Sequence, residues 1–233
     1  RGVMEGDGRI ALLDLTLLDK EASESDLEHL IGRANKHLPA AICVFSEQLD
    51  GLRDMLDPRV KLACVAGGFP SGTRDSTALS EEIRAARDSG ADEIDMVLEP
   101  GMGLEDSMLL MDSARRASEG LTLKVILETP LHDERSAMGA ARIALMGGAD
   151  FVKSCTGRRG ACSIEAANWL AREVHRHQTV TGELRGVKLS GGIRTSEDLE
   201  ALLSAVTGEG LSVTDSRYLR IGASSLLDSL LSE

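Results

Sequence analysis

The sequence predicts an α/β fold, a single (β/α)8 TIM barrel spanning residues 1–233, on three observations. Short β-type apolar runs alternate with amphipathic helical stretches almost from end to end. Eight such strand–helix units can be counted, enough for a parallel sheet to close on itself. No Pro/Gly/Ser-rich linker or compositional break divides the chain. A doubly wound open sheet is the structural alternative.

The strands are predicted at residues 11–15, 40–45, 60–65, 93–98, 123–128, 150–154, 185–189 and 218–221. Helices fall between them at 25–35, 47–55, 76–89, 105–118, 133–146, 164–175, 196–206 and 224–231. Several starts are signalled by caps. Ser23 stands before Asp26, Ser163 before Glu165 and an Ala-rich run, and Thr195 before Ser196, Glu197 and Asp198. A hydroxyl cap followed by carboxylates suits the positive end of a helix dipole.

Composition narrows the function. Aromatics are only 2%, so the core must be aliphatic and base-stacking platforms are disfavoured. The net charge of -12 has the wrong sign for a uniform nucleic-acid binder, and an anionic substrate would need a local electropositive pocket. No run of 18 apolar residues and no leader are found, so no membrane association is expected and the protein is predicted to be cytoplasmic. Cys43, Cys64, Cys155 and Cys162 form no C-x-x-C pair and are expected to be reduced thiols, although Cys155 and Cys162 are near enough in sequence to pair on oxidation. Assembly is left open, a homodimer included.

In a barrel the functional face lies at the carboxyl ends of the strands, and alternation says which side chains point inward. On the sixth strand Val152 suits the helix-facing side, which turns Phe151 and Lys153 inward. On the seventh, Val187 and Leu189 flank an inward Lys188. Glu93 and Asp95 are inward on the fourth, Asp14 and Thr16 on the first, Cys43 on the second, and Lys124, Ile126 and a terminal Glu128 on the fifth. Buried charges must pair or change protonation state. Two lysines on neighbouring strands make each other costlier to charge, lowering an amine from about 10.4 toward about 7. A neutral amine is what addition to a carbonyl requires, with Asp95 placed to shuttle protons. The plainer reading is an ion-pair network that only fixes the barrel's register, and Cys43 could be simply a small buried hydrophobe.

A second signal follows the last strands. Gly191-Gly192-Ile193-Arg194 and Gly222-Ala223-Ser224-Ser225 each open a helix, and Thr156-Gly157-Arg158 follows the sixth strand. Glycines let backbone N–H groups approach an anion, and loops after strands seven and eight often hold phosphate in this architecture. His29, His37, His132, His175 and His177 lie in or beside helical stretches, away from the strand ends, and His175 with His177 reads as a solvated helix end.

At these residues the chain resembles the deoxyribose-phosphate aldolase family over nearly its whole length. The matching stretches include Leu13-Asp14-Leu15-Thr16, Gly90-Ala91-Asp92-Glu93-Ile94-Asp95-Met96-Val97, Asp150-Phe151-Val152-Lys153-Ser154, Gly186-Val187-Lys188-Leu189-Ser190-Gly191-Gly192 and Tyr218-Leu219-Arg220-Ile221-Gly222-Ala223-Ser224-Ser225. The resemblance implies reversible cleavage of 2-deoxy-D-ribose 5-phosphate to acetaldehyde and D-glyceraldehyde 3-phosphate, in deoxyribonucleoside catabolism, with neither metal nor organic cofactor. It implies that Lys153 forms the Schiff base, that Lys188 lowers its pKa, and that Asp95 works in proton transfer. Asp14, Thr16 and Cys43 would line the pocket. Gly157, Arg158, Gly191, Gly192, Gly222, Ser224 and Ser225 would hold phosphate. The chain departs from the family at Cys155, where serine is common, at Leu189 and Pro130, and at Arg158, where lysine is common; it also stops at Glu233 without the tyrosine-ended tail of some members. A Schiff-base aldolase with another donor or acceptor, a phosphate-binding isomerase or lyase without covalent intermediate, and a non-catalytic sugar-phosphate binder are the alternatives.

Overall fold

The computed structural model describes residues 6–233. The first five residues of the expected span lie outside the described residues. After a short helix α1 (Gly6–Ile10), which the two glycines in its five residues hide from any periodicity, the chain follows a strict alternation. The elements are β1 (Leu13–Thr16), α2 (Glu24–His37), β2 (Ala41–Phe45), α3 (Leu52–Met55), β3 (Lys61–Ala66), α4 (Ser76–Asp88), β4 (Glu93–Val97) and α5 (Leu104–Ala117). They continue with β5 (Thr122–Ile126), α6 (Glu134–Met146), β6 (Phe151–Lys153), α7 (Ile164–Thr181), β7 (Gly186–Ser190), α8 (Ser196–Gly208), β8 (Leu219–Ala223) and α9 (Leu226–Leu231). The eight strands pair in sequence order, all parallel, and β8 closes on β1. This is a TIM barrel.

Alternation decides what each strand buries. Leu15, Ile42, Cys64, Ile94, Met96, Val125, Val152, Val187, Leu189 and Ile221 point outward into one continuous aliphatic layer shared with the helices. Each such side chain contributes about 1.5–3 kcal/mol by leaving water. The opposite parity fills the barrel. There Ala41, Cys43, Phe45, Ala63, Val65, Val97 and Ile126, with Phe69 from the following loop, make a separate apolar cluster on the β2–β5 side. Among the described residues no helix is long and apolar enough to cross a membrane.

The predicted caps at Ser23, Ser163 and Thr195 all accept a backbone N–H from the first turn of their helices. Other expectations need correcting. The helix expected at 47–55 is broken into a 3-10 turn at Ser46–Gln48 and the short α3, because Gly51 adopts a left-handed φ of +76° between them. The fifth strand ends at Ile126, not at residue 128. Glu128 lies beyond it with φ +57°, so its side chain leaves the strand's parity altogether. Helix α7 runs on to Thr181 and stops at left-handed Gly182, so His177 lies inside it, buried, with Nε2 3.1 Å from a Glu183 carboxylate oxygen. It is no solvated helix end.

Candidate active site

Seven ionisable side chains from six strands meet inside the barrel: Asp14, Glu93, Asp95, Lys124, Lys153, Lys188 and Arg220, none more than 6% exposed. Lys124 Nζ lies 2.6 Å from Glu93, 2.8 Å from Asp14 and 3.0 Å from Asp95. Lys188 Nζ donates to Asp14 at 2.6 Å and to Asp95 Oδ2 at 2.7 Å. Arg220 grips both oxygens of Glu93 at 2.7 and 2.9 Å and donates to Asp14 at 2.9 Å. Lys153 touches one carboxylate only: its Nζ is 3.0 Å from Asp95 Oδ2, the oxygen that Lys188 already holds.

Three carboxylates therefore face four cations, and the last cation has the poorest share. Burial penalises every one of these charges, so the surplus must fall on the amine least compensated. That amine is Lys153. Its burial, and next the Lys188 ammonium beside it, push its pKa down against the pull of Asp95. Burial opposes the charge of Lys188 and Lys124 as well, yet Asp14 and Asp95, joined at Lys124 by Glu93, more than offset it and raise both above the ordinary lysine range. Asp14 and Asp95, which burial alone would raise, are driven well below the usual carboxylate range by the lysines around them, with Arg220 adding to the effect at Asp14. The register places Lys153 directly opposite Lys188 across the β6–β7 pair, so both side chains project from one level toward one carboxylate.

Space for these side chains is built into the sequence. A Cβ on Gly222 would lie 3.1 Å from Lys188 Cε and 2.9 Å from Ser190 Cβ. A Cβ on Gly186 would fall within 2.4 Å of the Phe151 ring, which packs under the Arg220 guanidinium at 5.4 Å.

Above the network a cavity of about 280 Å³ opens at the carboxyl ends of the strands. Lys153, Thr16 and Ser190 line it together with Thr156, Gly157, Gly191, Gly192, Gly222, Ser224 and Ser225. Among the described residues the N–H groups of Gly157, Gly191, Gly192, Ser224 and Ser225 have no backbone partner. The left-handed φ of +99° and +74° at Gly191 and Gly192 turns their backbone into this space, and a Cβ on Gly192 would strike Ala161 at 2.9 Å. Unpaired N–H groups converging on one cavity suit an anion. Arg194 lines the same cavity and supplies a positive charge.

Three other expected site residues sit differently. Arg158 is exposed, and its guanidinium bonds the carbonyl of Leu18 at the rim rather than lining the cavity. Thr16 commits its hydroxyl to the Asp14 carbonyl at 2.8 Å while still facing the opening. Cys43 is fully buried below the cavity, where burial and then Asp95 push its thiol upward. What sequence reasoning missed is Arg220, although Leu219-Arg220-Ile221 shows the same apolar flanking that marks Lys188. Glu128, expected inward at the end of the fifth strand, instead turns its carboxylate to Thr156 and Arg159.

The profile described as DeoC/LacD family aldolase matches residues 8–232. The chain belongs to that family. The deoxyribose-phosphate aldolase of Mycobacterium marinum is 38% identical over 215 residues, covering 88% of this chain and 91% of that protein. That of Bdellovibrio bacteriovorus is 34% identical over 199 residues, covering 83% and 87%. The solved deoxyribose phosphate aldolase of Aeropyrum pernix superposes with a TM-score of 0.81 at 26% identity, covering 97% of this chain and 91% of that one. In this DeoC/LacD family aldolase, an amine short of compensating charge and a set of free N–H groups line the same cavity. The arrangement can bind a small molecule carrying a carbonyl at one end and an anionic group at the other.

Proposed function

We propose that this chain is a Schiff-base aldolase that cleaves 2-deoxy-D-ribose 5-phosphate to acetaldehyde and D-glyceraldehyde 3-phosphate and runs the reverse condensation. The observation that carries the reading is Lys153: the surplus cation of a buried network, on the wall of a cavity that also offers unpaired N–H groups. The named relatives support the choice of substrate.

The neutral Lys153 amine adds to C1 of the open-chain sugar, and loss of water gives the iminium ion. Asp95, within 3.0 Å of Lys153 and 2.7 Å of Lys188, moves protons during that dehydration. The C2–C3 bond then breaks: the 3-hydroxyl proton is removed, its oxygen becomes the carbonyl of glyceraldehyde 3-phosphate, and the bonding pair passes to the enamine on Lys153. Protonation at C2 and hydrolysis return the water and release acetaldehyde. Lys188 stays protonated throughout, keeping Lys153 short of protons. Gly157, Gly191, Gly192, Gly222, Ser224 and Ser225 would hold the 5-phosphate, with Arg194 supplying charge. Four free cysteines fit a reducing compartment such as the cytoplasm.

Borohydride reduction in the presence of acetaldehyde, followed by peptide mass mapping, tests this. The expected product is an ethyl group on Lys153, together with coupled formation of glyceraldehyde 3-phosphate from deoxyribose 5-phosphate. An unmodified Lys153 under turnover conditions would refute the covalent mechanism, and an adduct without sugar-phosphate cleavage would refute the substrate.

A further inference from the structure

Outside the cavity, one guanidinium joins four loops at the barrel's mouth. Arg159, on the loop after β6, directs Nη1 and Nη2 to the two oxygens of Glu99 at 3.0 Å each, Nη2 also to the Pro70 carbonyl at 3.2 Å, and Nε to Glu128 at 3.0 Å. Pro70, Glu99 and Glu128 follow β3, β4 and β5 respectively. Glu128 is fully buried and left-handed, and it accepts both the N–H of Thr156 at 3.1 Å and its hydroxyl at 2.7 Å. Thr156 Oγ1 in turn accepts the N–H of Arg158 at 3.1 Å, which closes the turn around Gly157. The chain of contacts thus runs from Arg159 through Glu128 to the backbone that presents the free Gly157 N–H to the cavity.

We propose that Arg159, acting through Glu128, is a positioning residue for recognition of the substrate's phosphate. The inference rests on the substrate reading above. It explains why a buried carboxylate is spent on a loop rather than on the ionic network beneath: Glu128 orders Thr156 only while Arg159 compensates its charge. A guanidinium's planar fork pairs both oxygens of Glu99 while its Nε reaches Glu128, a geometry that a single ammonium nitrogen does not reproduce.

The test compares Arg159→Gln and Arg159→Lys with the wild-type chain on 2-deoxyribose 5-phosphate, on unphosphorylated 2-deoxyribose, and with inorganic phosphate as inhibitor. Loss of a charge-assisted contact predicts a rise of about ten- to a hundredfold in KM for the phosphorylated sugar and in the phosphate inhibition constant. Expected alongside are a kcat within about threefold, unchanged kinetics on the unphosphorylated sugar, and partial recovery in Arg159→Lys. Glu99→Gln, farther from the turn, should follow the same direction more weakly and serves if Arg159→Gln does not fold. Equal losses on both sugars would overturn the proposal, as would an unaltered KM for the phosphorylated one. A wild-type chain unable to cleave the phosphorylated sugar would overturn the substrate reading itself, and this inference with it.

Discussion

Replacing Lys188 with leucine should change what Lys153 is for. In the wild-type barrel three carboxylates are matched by Lys124, Lys188 and Arg220, which leaves Lys153 in excess. Without Lys188 the same carboxylates hold only two strong partners, and Lys153 becomes the third cation they need. Both lysine nitrogens contact Asp95 Oδ2, at 2.7 and 3.0 Å, so they lie within about 6 Å of each other. At an effective dielectric near 20, two unit charges at that separation repel by about 3 kcal/mol. Removing the repulsion corresponds to about two pH units on the Lys153 amine. Asp95, released from Lys188, pulls in the same direction. In the proposed mechanism Lys153 is neutral when it attacks, so activity should rise with pH through its titration, and the ascending limb should move upward by about that amount in Lys188→Leu. The assay is kcat/KM for deoxyribose 5-phosphate against pH, which reports groups on the free enzyme. An ascending limb that stays in place, with only the plateau lowered, would refute the pairing of these two lysines.

Three further substitutions follow from the same geometry. Lys153→Met should abolish borohydride trapping while leaving the fold as stable or more so, because the uncompensated charge is gone. Lys153 is depressed in the fold, so its penalty is full below its folded value and vanishes as pH rises to the ordinary lysine range; thermal melts should show the gain only on the acid side. Gly222→Ala places a methyl 3.1 Å from Lys188 Cε and 2.9 Å from Ser190 Cβ, which predicts about 1–3 kcal/mol of destabilisation by urea unfolding and a fall in kcat/KM. Arg220→Met strips Glu93 of its two-pronged partner and Asp14 of one donor, for a loss of about 3–5 kcal/mol measured as a shift in denaturant midpoint.

Much of this was legible in the sequence because strand alternation carries it. Val152 beside Lys153, and Val187 and Leu189 around Lys188, fix inward lysines on adjacent strands without any knowledge of their partners. Arg220 obeys the same rule between Leu219 and Ile221, so its inward direction is carried by the same alternation. Glu128 could not be reached this way. Its side chain is set by a left-handed residue just past the strand, where parity ends and a non-glycine φ of +57° has no sequence marker. Arg158 and Arg159 are adjacent arginines on one loop, and only the loop's path decides that one turns to the rim and the other to Glu99 and Glu128.

The two causes that depress Lys153 come from two different halves of the barrel. Its register partner on β5 is Ile126, which belongs with Val97, Val65 and Cys43 to the apolar cluster on the β2–β5 side. Its register partner on β7 is Lys188, the edge of the ionic network. Lys153 therefore stands on the seam, where one neighbour withholds solvation and the other supplies a like charge. Neither alone would serve as well. An apolar wall without Lys188 would leave Asp95 free to stabilise the ammonium form, and Lys188 beside a solvated amine would be screened by water. Only closure of the sheet brings β4, β6 and β7 close enough for Asp95 to be shared between the two amines. Proton affinity at Lys153 is thus a property of the closed ring of strands.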